Sequence, residues 1–176
     1  MRSKEPGRMP VRTERSFDIV THSPEQTFAV GQKLGSLLRP GDVICLQGEL
    51  GSGKTCLTQG IGAGMHVQGT INSPTFVFVN EHAPANDGPY LYHVDLYRIG
   101  DYSEVYSLGL EDYMYGDGVT VIEWAERAIE ILPPYRLWVL LKHVSYTERL
   151  LLFEASGPRY VEILRALEQL LFAEEA

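Results

Sequence analysis

The sequence predicts a single α/β domain in which helices flank a central mixed sheet with a parallel core. Three observations lead there. VICLQ (43–47) is a continuous apolar run, the pattern of a strand buried on both faces. A glycine-rich loop and a helical stretch follow it directly. Other short apolar strands alternate with helical patterns or pair across turn-rich connections, and 176 residues suffice for one such core but not two.

The elements read in order as follows. SFDIV (16–20) is a short strand. Ser23 is placed as a helix N-cap, with Pro24 at the first helical position and Gln26 where a capping box wants Glu or Gln. Phe28, Val30, Leu34, Leu37 and Leu38 mark one face of that helix, which Pro40-Gly41 stops. After VICLQ and the loop, a helix is expected from about Lys54 to Met65, and GIGAG (60–64) reads as its loose end. TFVFVNE (75–81) and YLYHVDLY (90–97) form an expected hairpin through APANDGP. Residues 101–117 hold five acids, four tyrosines and no lysine or arginine, and read as a short helix plus loop. VTVIEW (119–124) is another buried strand, and AERAIEI a short helix ended by Pro133-Pro134. RLWVLLKHV (136–144) and ERLLLFEA (148–155) predict a second hairpin. Gly157-Pro158 opens a final helix carrying Tyr160, Ile163, Leu164, Leu167, Leu170 and Leu171 at helical spacing.

Charge narrows the function classes. The net charge is -8, but residues 1–16 carry 5 Lys/Arg against 2 Asp/Glu, leaving 10 against 21 in the rest. So acidic a body is a poor grip for a nucleic-acid backbone, which requires clustered cations. Residues 1–15 are expected to be a disordered basic tail and 16–176 the folded domain. No window approaches 18 uncharged apolar residues, so no membrane span is expected. Cys45 and Cys56 make no disulfide framework, and a reducing cytoplasm is the simplest setting.

Gly48-Glu49-Leu50-Gly51-Ser52-Gly53-Lys54-Thr55 satisfies G-x-x-x-x-G-K-[ST]. Its glycines let successive N–H groups point inward at anionic oxygens, and the helix starting near Lys54 adds its positive end. Lys54 is expected to reach the β- and γ-phosphates and the Thr55 hydroxyl to ligate Mg²⁺. Between a buried strand and a helix, this is a phosphate loop and predicts a P-loop NTPase fold.

A phosphate loop alone hydrolyses nothing; carboxylates must hold the metal and orient water. Asp95 follows YLYHV and Glu123 follows VTVI, both at strand ends, where α/β sheets place ligands. The alternative is that each acid merely pairs with a nearby cation such as Arg98 or Arg127. Thr75, in Ser73-Pro-Thr-Phe76, stands where phosphate-loop switches sense the γ-phosphate, and on its own residues the segment reads equally as an ordinary turn. His93 shares a strand face with Asp95 and reads as a packed, hydrogen-bonded residue in preference to a catalyst.

GELGSGKT (48–55), SPTF (73–76), HVDLYR (93–98), LGLEDY (108–113) and IEWAE (122–126) occur in the order and rough spacing of the TsaE family, also called YjeE. The sequence resembles that family from about Ser16 to at least Leu152. The resemblance implies a small bacterial ATPase needed for threonylcarbamoyl-adenosine formation on tRNAs that read codons starting with A. It also implies ATP and Mg²⁺ as cofactors, and action on a complex of the partner proteins TsaD and TsaB without a tight grip on tRNA. By the same resemblance Thr55 and Glu123 match magnesium positions, Asp95 a carboxylate required for hydrolysis, and Thr75 a switch-like segment. Ser23 and Arg149 fall near nucleotide contacts of the family. The tail and the C-terminus depart from its pattern. On this reading the acidic segment 101–117 would help form a docking surface or pack its tyrosines inward. Two other classes stay open: a small-molecule kinase, and a nucleotide-dependent binding switch with negligible turnover. No arginine finger is evident, so slow hydrolysis alone and a partner-completed site are expected.

Overall fold

Each segment is shaped by where its apolar side chains go. The computed structural model describes residues 15–73 and 78–173. Thr75 and tail residues 1–14 lie outside the described residues, whereas Arg15, assigned to the tail, already accepts a hydrogen bond from the Ala155 amide.

The chain order is β1 (Ser16–Thr21), α1 (Pro24–Gly35), β2 (Val43–Gln47), α2 (Lys54–Gly64), β3 (Val79–His82), β4 (Leu91–Asp95), α3 (Tyr102–Tyr106), α4 (Leu110–Met114), β5 (Val119–Glu123), a 3-10 turn (Ala125–Ala128), β6 (Arg136–His143), β7 (Arg149–Ser156) and α5 (Pro158–Phe172). The seven strands form one sheet in the order β1-β7-β6-β2-β5-β4-β3. β6, β2, β5 and β4 run parallel, while β7, β1 and β3 join antiparallel at the edges. This is the mixed sheet with a parallel core that the sequence predicts.

β2 is buried on both faces, as its continuous apolar run requires. Ile44 and Leu46 pack in one core with Leu34, Leu57, Ile61 and Ile163, from α1, α2 and α5. Val43 and Cys45 pack in the other with Val105, Leu110 and Met114, from α3 and α4. The 101–117 stretch is thus two short helices instead of one, broken at Gly109 with φ 67°. The helix expected after Glu123 shrinks to a 3-10 turn, entered through Trp124 in the left-handed region at φ 59°.

Ser23 caps α1, its Oγ accepting from the Gln26 amide at 3.1 Å. The Gln26 side chain reaches back to the His22 amide, one residue before the cap, instead of closing the expected box on Ser23. α1 ends at Gly35, ahead of Pro40-Gly41.

The GIGAG run is a correction. It is no loose end: Gly60 and Gly64 form a seam where α1 and α2 touch main chain to main chain, while Gly62 faces the side chains of Ile71 and Val67. A Cβ on Gly60 would lie 2.2 Å from the Phe28 carbonyl oxygen, and one on Gly64 would lie 2.0 Å from that of Gln32. Gly31 and Gly35 answer from α1, where an added Cβ would lie 2.4 Å and 2.2 Å from the carbonyl oxygens of Leu57 and Ile61. Any side chain there would force the helices apart.

Candidate active site

The phosphate loop leaves the C-terminal end of β2, and the strand order decides what surrounds it. β5 lies beside β2 and β4 beside β5, so the parallel register sets Asp95 level with Glu123. Two strand-end acids 28 positions apart in sequence thereby share one edge of the sheet. Positive φ at Gly51 (74°) and Gly53 (106°) folds the loop back, and Gly53 caps α2. α2 therefore begins at Lys54 with its amide-bearing, positive end turned to the loop.

A cavity of about 560 Å³ opens at this point. Of the sequence-predicted residues, Leu50, Gly51, Gly53, Lys54, Thr55, Asp95, Glu123 and Arg149 line it. Gly48, Glu49 and Ser52 sit in the same loop and surround the lysine: Nζ of Lys54 donates to the carbonyls of Gly48 and Glu49 and lies 3.4 Å from Oγ of Ser52. Ser23 is occupied with capping α1, and the cavity wall nearest to it in sequence starts at Pro24. Arg149 ties the β6–β7 turn to the loop. It donates to the carbonyls of Ser145, Tyr146 and Glu148 in the turn and of Gly51 in the loop.

At the other end of the cavity oxygen atoms converge. The Thr55 hydroxyl donates to Oε1 of Glu123 at 3.0 Å and lies 2.8 Å from the Ser73 hydroxyl. Thr55 has a single proton, so with that proton on Glu123 it is Ser73 that donates to Thr55. Oε2 of Glu123 meets Nε2 of His93. Asp95 accepts from the Tyr97 amide at 2.9 Å. Arg127, a candidate partner for the acids, instead donates to the carbonyls of Leu96, Tyr97 and Ile99 and lies over the Trp124 ring, 4.8 Å from its centroid. Arg98 lines the cavity.

Burial pushes the Lys54 ammonium below its ordinary range, and the charges of Glu123, Glu126, Asp95 and Glu49 push it back up. Burial holds Asp95 above the usual carboxylate range, against the Tyr97 hydrogen bond, and it raises Glu126 as well. Asp95 and Glu123 thus stand together on the cavity wall within reach of the Lys54 charge, a pair of carboxylates that suits a divalent cation. Mg²⁺ takes oxygen ligands, one or two carboxylates plus substrate phosphates, and Thr55 and Glu123 offer a hydroxyl and a carboxylate of that kind.

Sequence reasoning missed two neighbours. Trp124 covers the lysine, its ring centroid 4.3 Å from Nζ. Its position directly after the strand-end acid was the available signal. Ser73 reads in sequence only as part of a loop, and nothing in its spacing from Thr55 announces their contact.

A family model described as threonylcarbamoyl adenosine biosynthesis protein TsaE matches residues 21–151. The tRNA threonylcarbamoyladenosine biosynthesis protein TsaE of Bacillus subtilis (strain 168) is 41% identical over 150 residues, 85% of this chain and 92% of that one. The protein of the same name from Nostoc sp. is 41% identical over 143 residues, covering 79% and 80%. The crystal structure of Bacillus subtilis YdiB superposes with a TM-score of 0.75 at 35% identity, covering 88% of this chain and 95% of that one.

Proposed function

The chain belongs to the TsaE family of threonylcarbamoyl adenosine biosynthesis proteins, and on that premise we propose that it is a Mg²⁺-dependent ATPase serving threonylcarbamoyl-adenosine formation on tRNA. It acts on the TsaD and TsaB proteins, in the cytoplasm, and does not itself grip tRNA. The observation that carries the reading is the Thr55–Glu123 hydrogen bond, which joins the phosphate loop to a strand-end carboxylate with Asp95 beside it in register.

The chain's own residues divide the work. The loop amides and the start of α2 bind phosphate oxygens. Lys54, now donating to two loop carbonyls, exchanges them for β- and γ-phosphate oxygens. Thr55 and Glu123 would hold Mg²⁺, which would supply charge neutralisation for the triphosphate among the surrounding acids. Asp95, half-buried at the end of β4, accepts hydrogen bonds and orients the attacking water. The acidic body supports action through partners, because an acidic face complements a partner's cations. Among the described residues no helix is long and apolar enough to cross a membrane.

The test is ATP turnover by the chain alone and with purified TsaD and TsaB, with Asp95→Ala and Glu123→Ala as controls. Phosphate release that rises with the partners and collapses in both variants is expected. Transfer of the γ-phosphate to a metabolite would replace this reading with a kinase. Tight nucleotide binding without turnover under every condition would leave a binding switch.

A further inference from the structure

His93 lies where no solvent reaches it, 0% exposed on β4, beneath a carboxylate that is itself 2% exposed. The register explains the meeting. His93 pairs with Val121 and Asp95 with Glu123, so His93 sits one step back along the neighbouring strand, on the same face as the Glu123 side chain. The two oxygens of Glu123 are thereby shared out: Oε1 accepts mainly from Thr55, and Oε2 from Nε2 of His93. A carboxylate only accepts, so the contact places the proton on Nε2. The other ring nitrogen, Nδ1, is buried and faces no hydrogen-bond partner among the described residues. A bare acceptor there is tolerated better than a second, unmet N–H. The ring is thus committed to one oxygen and, through it, to one orientation of the carboxylate.

We propose that His93 is a positioning residue. It locks the Glu123 carboxylate so that Oε1 faces Thr55 and the two oxygens together present a ready divalent-cation site. Were His93 only filling space under β4, an apolar side chain such as those at Leu91 or Val121 would serve. Burying an imidazole with one unmet nitrogen is instead explained by the hydrogen bond that the other nitrogen makes. Partners that orient a ligating group commonly contribute 10- to 100-fold in metal affinity.

The inference rests on the Mg²⁺-dependent nucleotide reading above, and the experiment separates the two. Binding of a non-hydrolysable ATP analogue is measured by calorimetry with Mg²⁺ and with EDTA, alongside melting temperature. The unaltered chain, His93→Gln, His93→Asn and His93→Leu are compared. Gln extends an N–H to about the place of Nε2, whereas Asn falls short. With Mg²⁺ present, His93→Leu and His93→Asn should bind about 10- to 100-fold more weakly and His93→Gln within about threefold of the unaltered chain. In EDTA all four should agree within about twofold. If His93→Leu does not fold, the Gln and Asn pair decides. Equal Mg²⁺-dependent binding by Gln and Asn variants overturns the proposal, as does a loss of equal size with and without Mg²⁺. Nitrogen-15 NMR of the nucleotide-free chain should show the His93 proton on Nε2; a proton on Nδ1 overturns it. If the unaltered chain shows no Mg²⁺-dependent binding, the ATPase reading falls and takes this inference with it. If it does and the variants match it, only this inference falls.

Discussion

Asp42 and Glu123 are both nearly buried carboxylates, 4% and 2% exposed, at opposite ends of the parallel strands. Asp42, just before β2, takes two hydrogen bonds from the Arg159 guanidinium, at 3.2 Å and 2.9 Å, and a third from the Arg39 amide at 2.7 Å. Arg159 also donates to the Leu37 carbonyl, and the next residue, Tyr160, receives the Val43 amide on its hydroxyl. That end is saturated, charge against charge, and ties α5 to the start of β2. Among the described residues no guanidinium is paired with Glu123, and the charge of Lys54 acts on it without a hydrogen bond. Its hydrogen-bond donors are a hydroxyl and an imidazole, and Asp95 stands beside it. A buried charge matched by a fixed cation makes structure. One without a paired guanidinium retains attraction for a cation that arrives later.

Four substitutions or titrations sharpen this contrast, in falling order of effect. Glu123→Gln keeps the size and removes the charge. ATP turnover should fall on the order of 10²- to 10³-fold, read by phosphate release, with thermal melts alongside to show that the variant remains folded. Arg159→Leu does the reverse. It strands Asp42 and should lower the folding free energy by about 3 kcal/mol in urea titrations, with turnover of the folded chain unchanged. Tyr160 extends that result to pH. Burial raises its phenol from 10.0 to about 12, so its contribution is fully present below pH 10 and lost as pH rises through 12. Denaturation across that interval should lose between about 2 and 3 kcal/mol more in the unaltered chain than in Tyr160→Phe. Last, Asp95→Asn should raise the melting temperature at pH 7. Burial lifts the native pKa of Asp95, so the folded state penalises its charged form above that value, and the gain should close as pH falls toward 3.8. A stabilised Arg159→Leu, or an Asp95→Asn that melts earlier, would erase the distinction between the two ends.

Local chemistry was legible wherever a residue's role depends on its immediate neighbours. The phosphate loop, the Ser23 cap, the buried run of β2 and both hairpins follow from spacing and residue type. What depends on strand order was not. Nothing in HVD or VIE says that β4 and β5 are adjacent and parallel, yet that adjacency alone sets Asp95 level with Glu123 and His93 beneath it. The helix after Glu123 failed for a backbone reason. AERAIEI has helical composition, but Trp124 turns the chain through the left-handed region and leaves room for one 3-10 turn. The glycines of α2 misled because glycine at a helix end is common, and only the opposite helix reveals that these are contact residues.

That seam also bears on mechanics. Most helix pairs are cushioned by side chains that can change rotamer, so one helix slides a little over the other at small cost. Between α1 and α2 the cushion is missing, and hard main-chain atoms meet directly along two turns. Such a contact leaves the pair little room to slide, so the position of the helix carrying Lys54 and Thr55 is fixed by α1 as much as by the sheet.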